Sequence, residues 1–147
     1  MSPSETPDRP PRRRSLPLTV VLWVVQILLA AFFLFQGATK LLGSPSAVRL
    51  FEDIGLGQWL RYVTGVCEVA GAVGLLIAPL SGLAALGLLG VMIGATAGNL
   101  LTPGYASFAI QTVALGVVFA LLAWARWPET RSLPERLRKS GKPRSGT

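Results

Sequence analysis

The stretch WLRYVTGVCEVAGAVGLLI, Trp59 to Ile77, decides the fold. It is an apolar run of the length that a helix needs to cross a bilayer, yet it carries Arg61 near its start and Glu68 at its middle. An ionisable group at a helix centre in lipid costs at least about 2.5–3.5 kcal/mol, so it is kept where it is paired or functional.

Working outward, three further apolar stretches flank this one, giving spans at Leu18–Leu42, Gln58–Pro79, Leu80–Leu101 and Tyr105–Trp127. The chain of 147 residues is 51% hydrophobic and 14% charged, against roughly 25% charged in soluble domains. Its mean hydropathy is +0.53. The spans lack the alternation of barrel strands, and backbone groups in lipid must be satisfied internally, so helices follow. The expectation is an all-α integral membrane protein, a four-helix bundle.

Nearly all of the net charge of +7 lies in the tails. Arg9, Arg12, Arg13 and Arg14 precede the first span, and seven basic residues run from Arg126 to Arg144. Basic flanks on both sides place both termini in the cytoplasm, which requires an even number of spans. The tails, residues 1–17 and 128–147, are rich in Pro, Ser and Gly and read as disordered, drawn to anionic lipid rather than nucleic acid. Arg12 to Leu16 followed by apolar residues resembles an export signal, but the run is too long and no small-residue cleavage site follows.

Cys67 is alone and buried in a span, and histidine is absent. Histidine or cysteine metal sites, redox cysteine pairs, Ser-His-Asp triads and histidine-ligated haem are thereby excluded. No metal and no covalent cofactor is expected, and no residue announces a catalytic role.

Turn residues mark the connections. After Gly43-Ser44-Pro45, the residues Val48, Phe51 and Ile54 share one helical face while Arg49, Glu52 and Asp53 lie elsewhere, the pattern of a short helix lying in the interface. It ends at Gly55-Leu56-Gly57, and Trp59 and Tyr62 mark the membrane boundary. Ala78 to Gly82 and Thr102-Pro103-Gly104 leave almost no loop, so consecutive spans are antiparallel neighbours. Gly90, Gly94 and Gly98 recur every four residues, as do Ala70 and Gly74. Such spacing lets helices approach closely in lipid, either within the chain or between copies in a homo-oligomer.

With both tails inside, the polar residues gather in the outer half. Gln36 and Lys40 lie one turn apart near the outer end of the first span. Arg61, Thr64 and Glu68 share a face of the second, with Glu68 about 13 Å below Trp59. Asn99 closes the third span and Gln111 lies about two turns into the fourth, while the cytoplasmic half offers little beyond Gln26. Two readings compete. In one, Glu68 pairs with Lys40 or Arg61, and Asn99 and Gln111 bond across helices, fixing the packing. In the other, the six groups line a pocket that holds a polar head group or small solute.

These residues also resemble a known family. Phe33-Leu34-Phe35-Gln36-Gly37-Ala38-Thr39-Lys40 is similar to the first-helix signature of the DoxX-like membrane proteins. Gly65-Val66-Cys67-Glu68-Val69-Ala70-Gly71 resembles their second-helix motif, and Phe51 to Leu60 is similar to the segment between. The resemblance spans Leu28 to Leu122 and excludes both tails. Many members carry a histidine near the end of the third helix, where this chain has Asn99. The resemblance implies a bacterial inner-membrane accessory component, redox-linked, with a quinone as ligand and an oxidoreductase as partner. Glu68 would then relay a proton and Lys40 would hold a carbonyl. A transporter of small solutes or lipid, and a scaffold without turnover, are the alternatives.

Overall fold

The computed structural model describes residues 16–132 together with Pro134 and Arg138. Five helices follow in order: α1 Leu16–Leu41, α2 Pro45–Ile54, α3 Gln58–Leu76, α4 Ser81–Leu101 and α5 Ala106–Arg131. Four of them, α1, α3, α4 and α5, are long and apolar enough to cross a membrane. The expected all-helical membrane bundle is therefore the architecture of this chain.

Helix ends follow local chemistry. α1 stops where Gly43 adopts φ +73°, a conformation that costs glycine little. Ser44 then caps α2, its Oγ accepting from the Ala47 amide at 3.4 Å, with Pro45 in the first turn, where its missing N–H is not needed. Gly55, left-handed at φ +76°, ends α2 and donates to the Glu52 carbonyl. α2 buries Ala47 and Phe51 and exposes Arg49, Glu52 and Asp53, as its amphipathic pattern requires. Tyr105, at the entry to α5, donates to Asp53 at 2.6 Å and ties α2 to the α4–α5 connection.

The last helix runs further than its sequence suggests. Trp127-Pro128 reads as a stop, since proline removes a helical donor, yet α5 continues to Arg131. The final turn is held by Arg126 to Glu129, 2.8 Å, and by Thr130 Oγ1 donating to the Arg126 carbonyl at 3.3 Å. Residues 128–131 are thus helical rather than tail; residues 1–15 and most of those after 132 lie outside the described residues.

α1 packs on α3, α3 on α4 and α4 on α5, with α2 against α3 and α1. The core holds Ala72, Leu75, Ala85, Leu88, Met92 and Leu122. Phe33 and Phe119 meet edge to face at 5.1 Å and join α1 to α5. The close crossing of α1 and α3 is made by Gly37 and Gly65. A methyl group added at Gly37 would stand 2.7 Å from Val69 Cγ2 and 2.8 Å from the Gly65 carbonyl oxygen. Gly74 likewise faces Ala84, where an added methyl would lie 2.8 Å from Cβ.

The glycines singled out in α4 behave differently. Nothing stands within 4 Å of a methyl group added at Gly90 or Gly94, and Gly98 meets only Ile54 Cδ1 at 3.6 Å. Packing inside the chain therefore does not explain this stripe. The reason is rotational: α4 turns Leu88 and Ala85 into the core, which carries Gly90 and Gly94 to the outer surface. Cys67, expected to be buried, is likewise exposed on the outer side of α3.

Candidate functional site

Lys40 stands in the last turn of α1 and Glu68 at the middle of α3, and the Gly37–Gly65 crossing brings the two backbones close enough for the side chains to meet. Lys40 Nζ donates to Glu68 Oε1 at 2.9 Å and to Oε2 at 2.8 Å. The side chains are 14% and 5% exposed. An ion pair so enclosed is screened little, and removing one partner leaves an uncompensated charge.

Arg61 lies two turns before Glu68 on α3 and takes a different partner. Its Nη1 donates to the backbone carbonyl of Lys40, a helix-end carbonyl that also accepts from the Gly43 amide at 3.3 Å. Nε donates to Gln58 Oε1 at 2.7 Å, and the guanidinium lies 4.2 Å from the Tyr62 ring centroid. Gln58 in turn donates from Nε2 to the Val48 carbonyl of α2 at 3.1 Å. Of the two partners considered for Glu68, Lys40 is the one that pairs.

The other three residues of the expected cluster do not join this network. Gln36 is half-buried on α1, where its backbone carbonyl accepts from Thr39 Oγ1 at 2.8 Å. Asn99 is buried near the end of α4, and Gln111 is exposed on α5. Neither side chain bonds across helices among the described residues. Thr96 and Thr112 make that link instead, their hydroxyls 2.7 Å apart between α4 and α5.

A second polar group occupies the opposite end of the bundle, where the sequence pointed to Gln26 alone. Gln26 is fully buried and donates from Nε2 to the Leu75 carbonyl at 2.6 Å. Its Oε1 accepts from Arg126 Nε at 3.0 Å, and Arg126, 3% exposed, also pairs with Glu129. Trp23 lies 5.3 Å from the Arg126 guanidinium. The sequence signal was weak: Arg126 reads as the first basic residue of a tail, and only its position one turn inside the true end of α5 makes it internal.

Two apolar grooves run along the outer surface. One, about 460 Å³, lies between α4 and α5 and is lined by Met92, Thr96, Leu100, Thr112 and Val117 among others. The other, about 350 Å³, lies between α3 and α4 beside Cys67, Gly71 and Gly74. Neither is lined by Lys40 or Glu68.

Searches of curated proteins and of solved structures gave no match. A profile of the DoxX-like family matches residues 24–126, most of the chain, including both partners of the ion pair. Matched across all four apolar helices, this chain is a multi-pass membrane protein that belongs to the DoxX-like family.

Proposed function

We propose that the protein is an accessory membrane subunit, without turnover of its own, that presents the Lys40–Glu68 pair to the polar head of a lipid-soluble molecule. The observation that carries this reading is the enclosure of a full ion pair at the crossing of α1 and α3. A bundle needing only packing would be served as well by apolar residues, since a buried pair rarely adds net stability.

The donor set suits a quinone, the ligand that the family resemblance favours. Lys40 has three N–H donors, and the two bonds to Glu68 leave one for a carbonyl oxygen. Lys40 would orient such a carbonyl, and Glu68, released from one bond, would give or take a proton at the head group. Electron transfer would belong to an oxidoreductase partner. In this reading the basic tails lie in the cytoplasm of a bacterium and the pair in the outer half of its inner membrane.

Self-association is a second reading, favoured by the outward glycines of α4. Both readings are tested by extraction into lipid discs and mass spectrometry of what co-purifies, comparing wild type with Glu68→Ala. A quinone or an oxidoreductase retained by wild type and lost from the variant supports the accessory reading. A homo-oligomer carrying only bulk lipid in both cases removes it and leaves self-association.

A further inference from the structure

We infer that Arg61 is the positioning residue of the Lys40–Glu68 pair, acting through the backbone of Lys40 and not on Glu68 itself. The inference rests on the reading of that pair as the working site.

Lys40 is one residue from the end of α1. Helix ends fray, and a lysine there has an alternative open to it. Its flexible stem can turn outward and carry the ammonium to the aqueous interface. Which outcome prevails depends on whether the last turn of α1 stays formed and close to α3. Four interactions close that turn: the Leu42 amide on the Ala38 carbonyl at 2.9 Å, the Ser44 amide on the Thr39 carbonyl at 3.0 Å, the Gly43 amide on the Lys40 carbonyl at 3.3 Å, and Arg61 on that same Lys40 carbonyl. The three backbone bonds are local to the chain around α1. Leu41 packs beside Gly65 of α3, but of the four bonds Arg61 alone reaches the turn's backbone from α3, the helix that carries Glu68.

Arg61 is itself held in place. It is 4% exposed, a costly location for a guanidinium that makes no ion pair among the described residues. Gln58 fixes its Nε and reaches on to Val48, and the Tyr62 ring covers it. Gly43 lies beside it, where an added methyl would be in ordinary contact with Nη1 at 3.6 Å. A cation beside the terminal carbonyls of α1 also complements the negative end of that helix. The whole assembly bears on one carbonyl, that of Lys40, whose side chain makes the ion pair.

The test is a zero-length cross-link in lipid discs. A hydrophobic carbodiimide activates the Glu68 carboxyl, and the Lys40 amine, if adjacent, displaces it. An amide bond then joins Nζ to Cδ, and the carboxyl oxygen leaves in the urea. Peptide mass spectrometry measures the yield of the α1–α3 link. Wild type should form it, Arg61→Gln should lower the yield at least about fivefold, and Arg61→Lys, which keeps a cation and a donor, should recover part of it. Gln26→Leu, which loosens the opposite end of the bundle, should leave the yield at the wild-type level.

A wild-type yield in Arg61→Gln, or an equal loss in Gln26→Leu, overturns the role assigned to Arg61 while leaving the pair intact. No link in wild type removes the pair itself, and the functional reading with it. Should Arg61→Gln fail to insert, Gln58→Leu takes its place: a reduced yield supports the inference and an unchanged yield overturns it.

Discussion

Arg126 and Gln26, a hundred residues apart, share a hydrogen bond of 3.0 Å that ties the last span to the first. Gln26 passes the connection on to the Leu75 carbonyl of α3, so one buried amide joins three helices. Leu75 lies in the last turn of α3, where its carbonyl has no intrahelical donor.

Gln26→Leu should therefore cost about 1–3 kcal/mol, because it leaves both a buried carbonyl and a buried guanidinium short of a partner. Gln26→Glu keeps an acceptor for Arg126 and should cost less. Thermal unfolding in lipid discs ranks the two, and equal loss in both variants would remove Arg126 from the explanation.

Breaking the Lys40–Glu68 pair one side at a time should be worse than removing it whole. Glu68→Leu strands the Lys40 ammonium and is expected to cost about 3–5 kcal/mol, less whatever Lys40 recovers by turning to water. Lys40→Met combined with Glu68→Leu should restore most of that stability without restoring ligand or partner retention. Additive losses in the double variant would show that the two residues are not coupled.

Glycines at two places should respond in opposite ways. Gly37→Leu forces α1 away from Val69 and the Gly65 carbonyl and should destabilise the bundle by about 1–3 kcal/mol or more. At Gly94, which is exposed and where an added methyl group meets nothing within 4 Å, Gly94→Leu should leave the unfolding temperature of the single chain nearly unchanged. If copies associate through α4, native mass spectrometry will show the Gly94→Leu variant shifted to monomer.

Tyr105→Phe removes the bond to Asp53 that anchors α2. An exposed bond of this kind contributes on the order of 1 kcal/mol or less. Global stability should hardly change, while amide hydrogen exchange in α2 becomes a few-fold faster than in wild type. Unchanged exchange would mean that Phe51 and Ala47, both buried, hold α2 by packing alone.

Much of this was legible in the chain. Unbroken apolar runs between turn residues set the four spans, because a helix is the structure whose backbone is satisfied in lipid whatever its neighbours do. The amphipathic pattern of α2 and the caps at Ser44 and Gly55 are local in the same sense. Even the pairing of Glu68 with a cation could be expected, since charge at that depth needs a partner.

Partner choice was not legible, because it depends on how each helix is rotated about its axis and where helices cross. Lys40 and Arg61 were equal candidates for Glu68 until the Gly37–Gly65 crossing brought the end of α1 against α3 and gave the carbonyl of Lys40 to Arg61. The same rotation turned Gly90 and Gly94 outward and left Gln36, Asn99 and Gln111 off the network. Arg126 became internal only because α5 continues through Pro128. Sequence alone determined that this chain forms apolar helices and must shelter a few charges. Tertiary structure decided which groups meet, since side chains of fixed reach pair only where packing brings their backbones together.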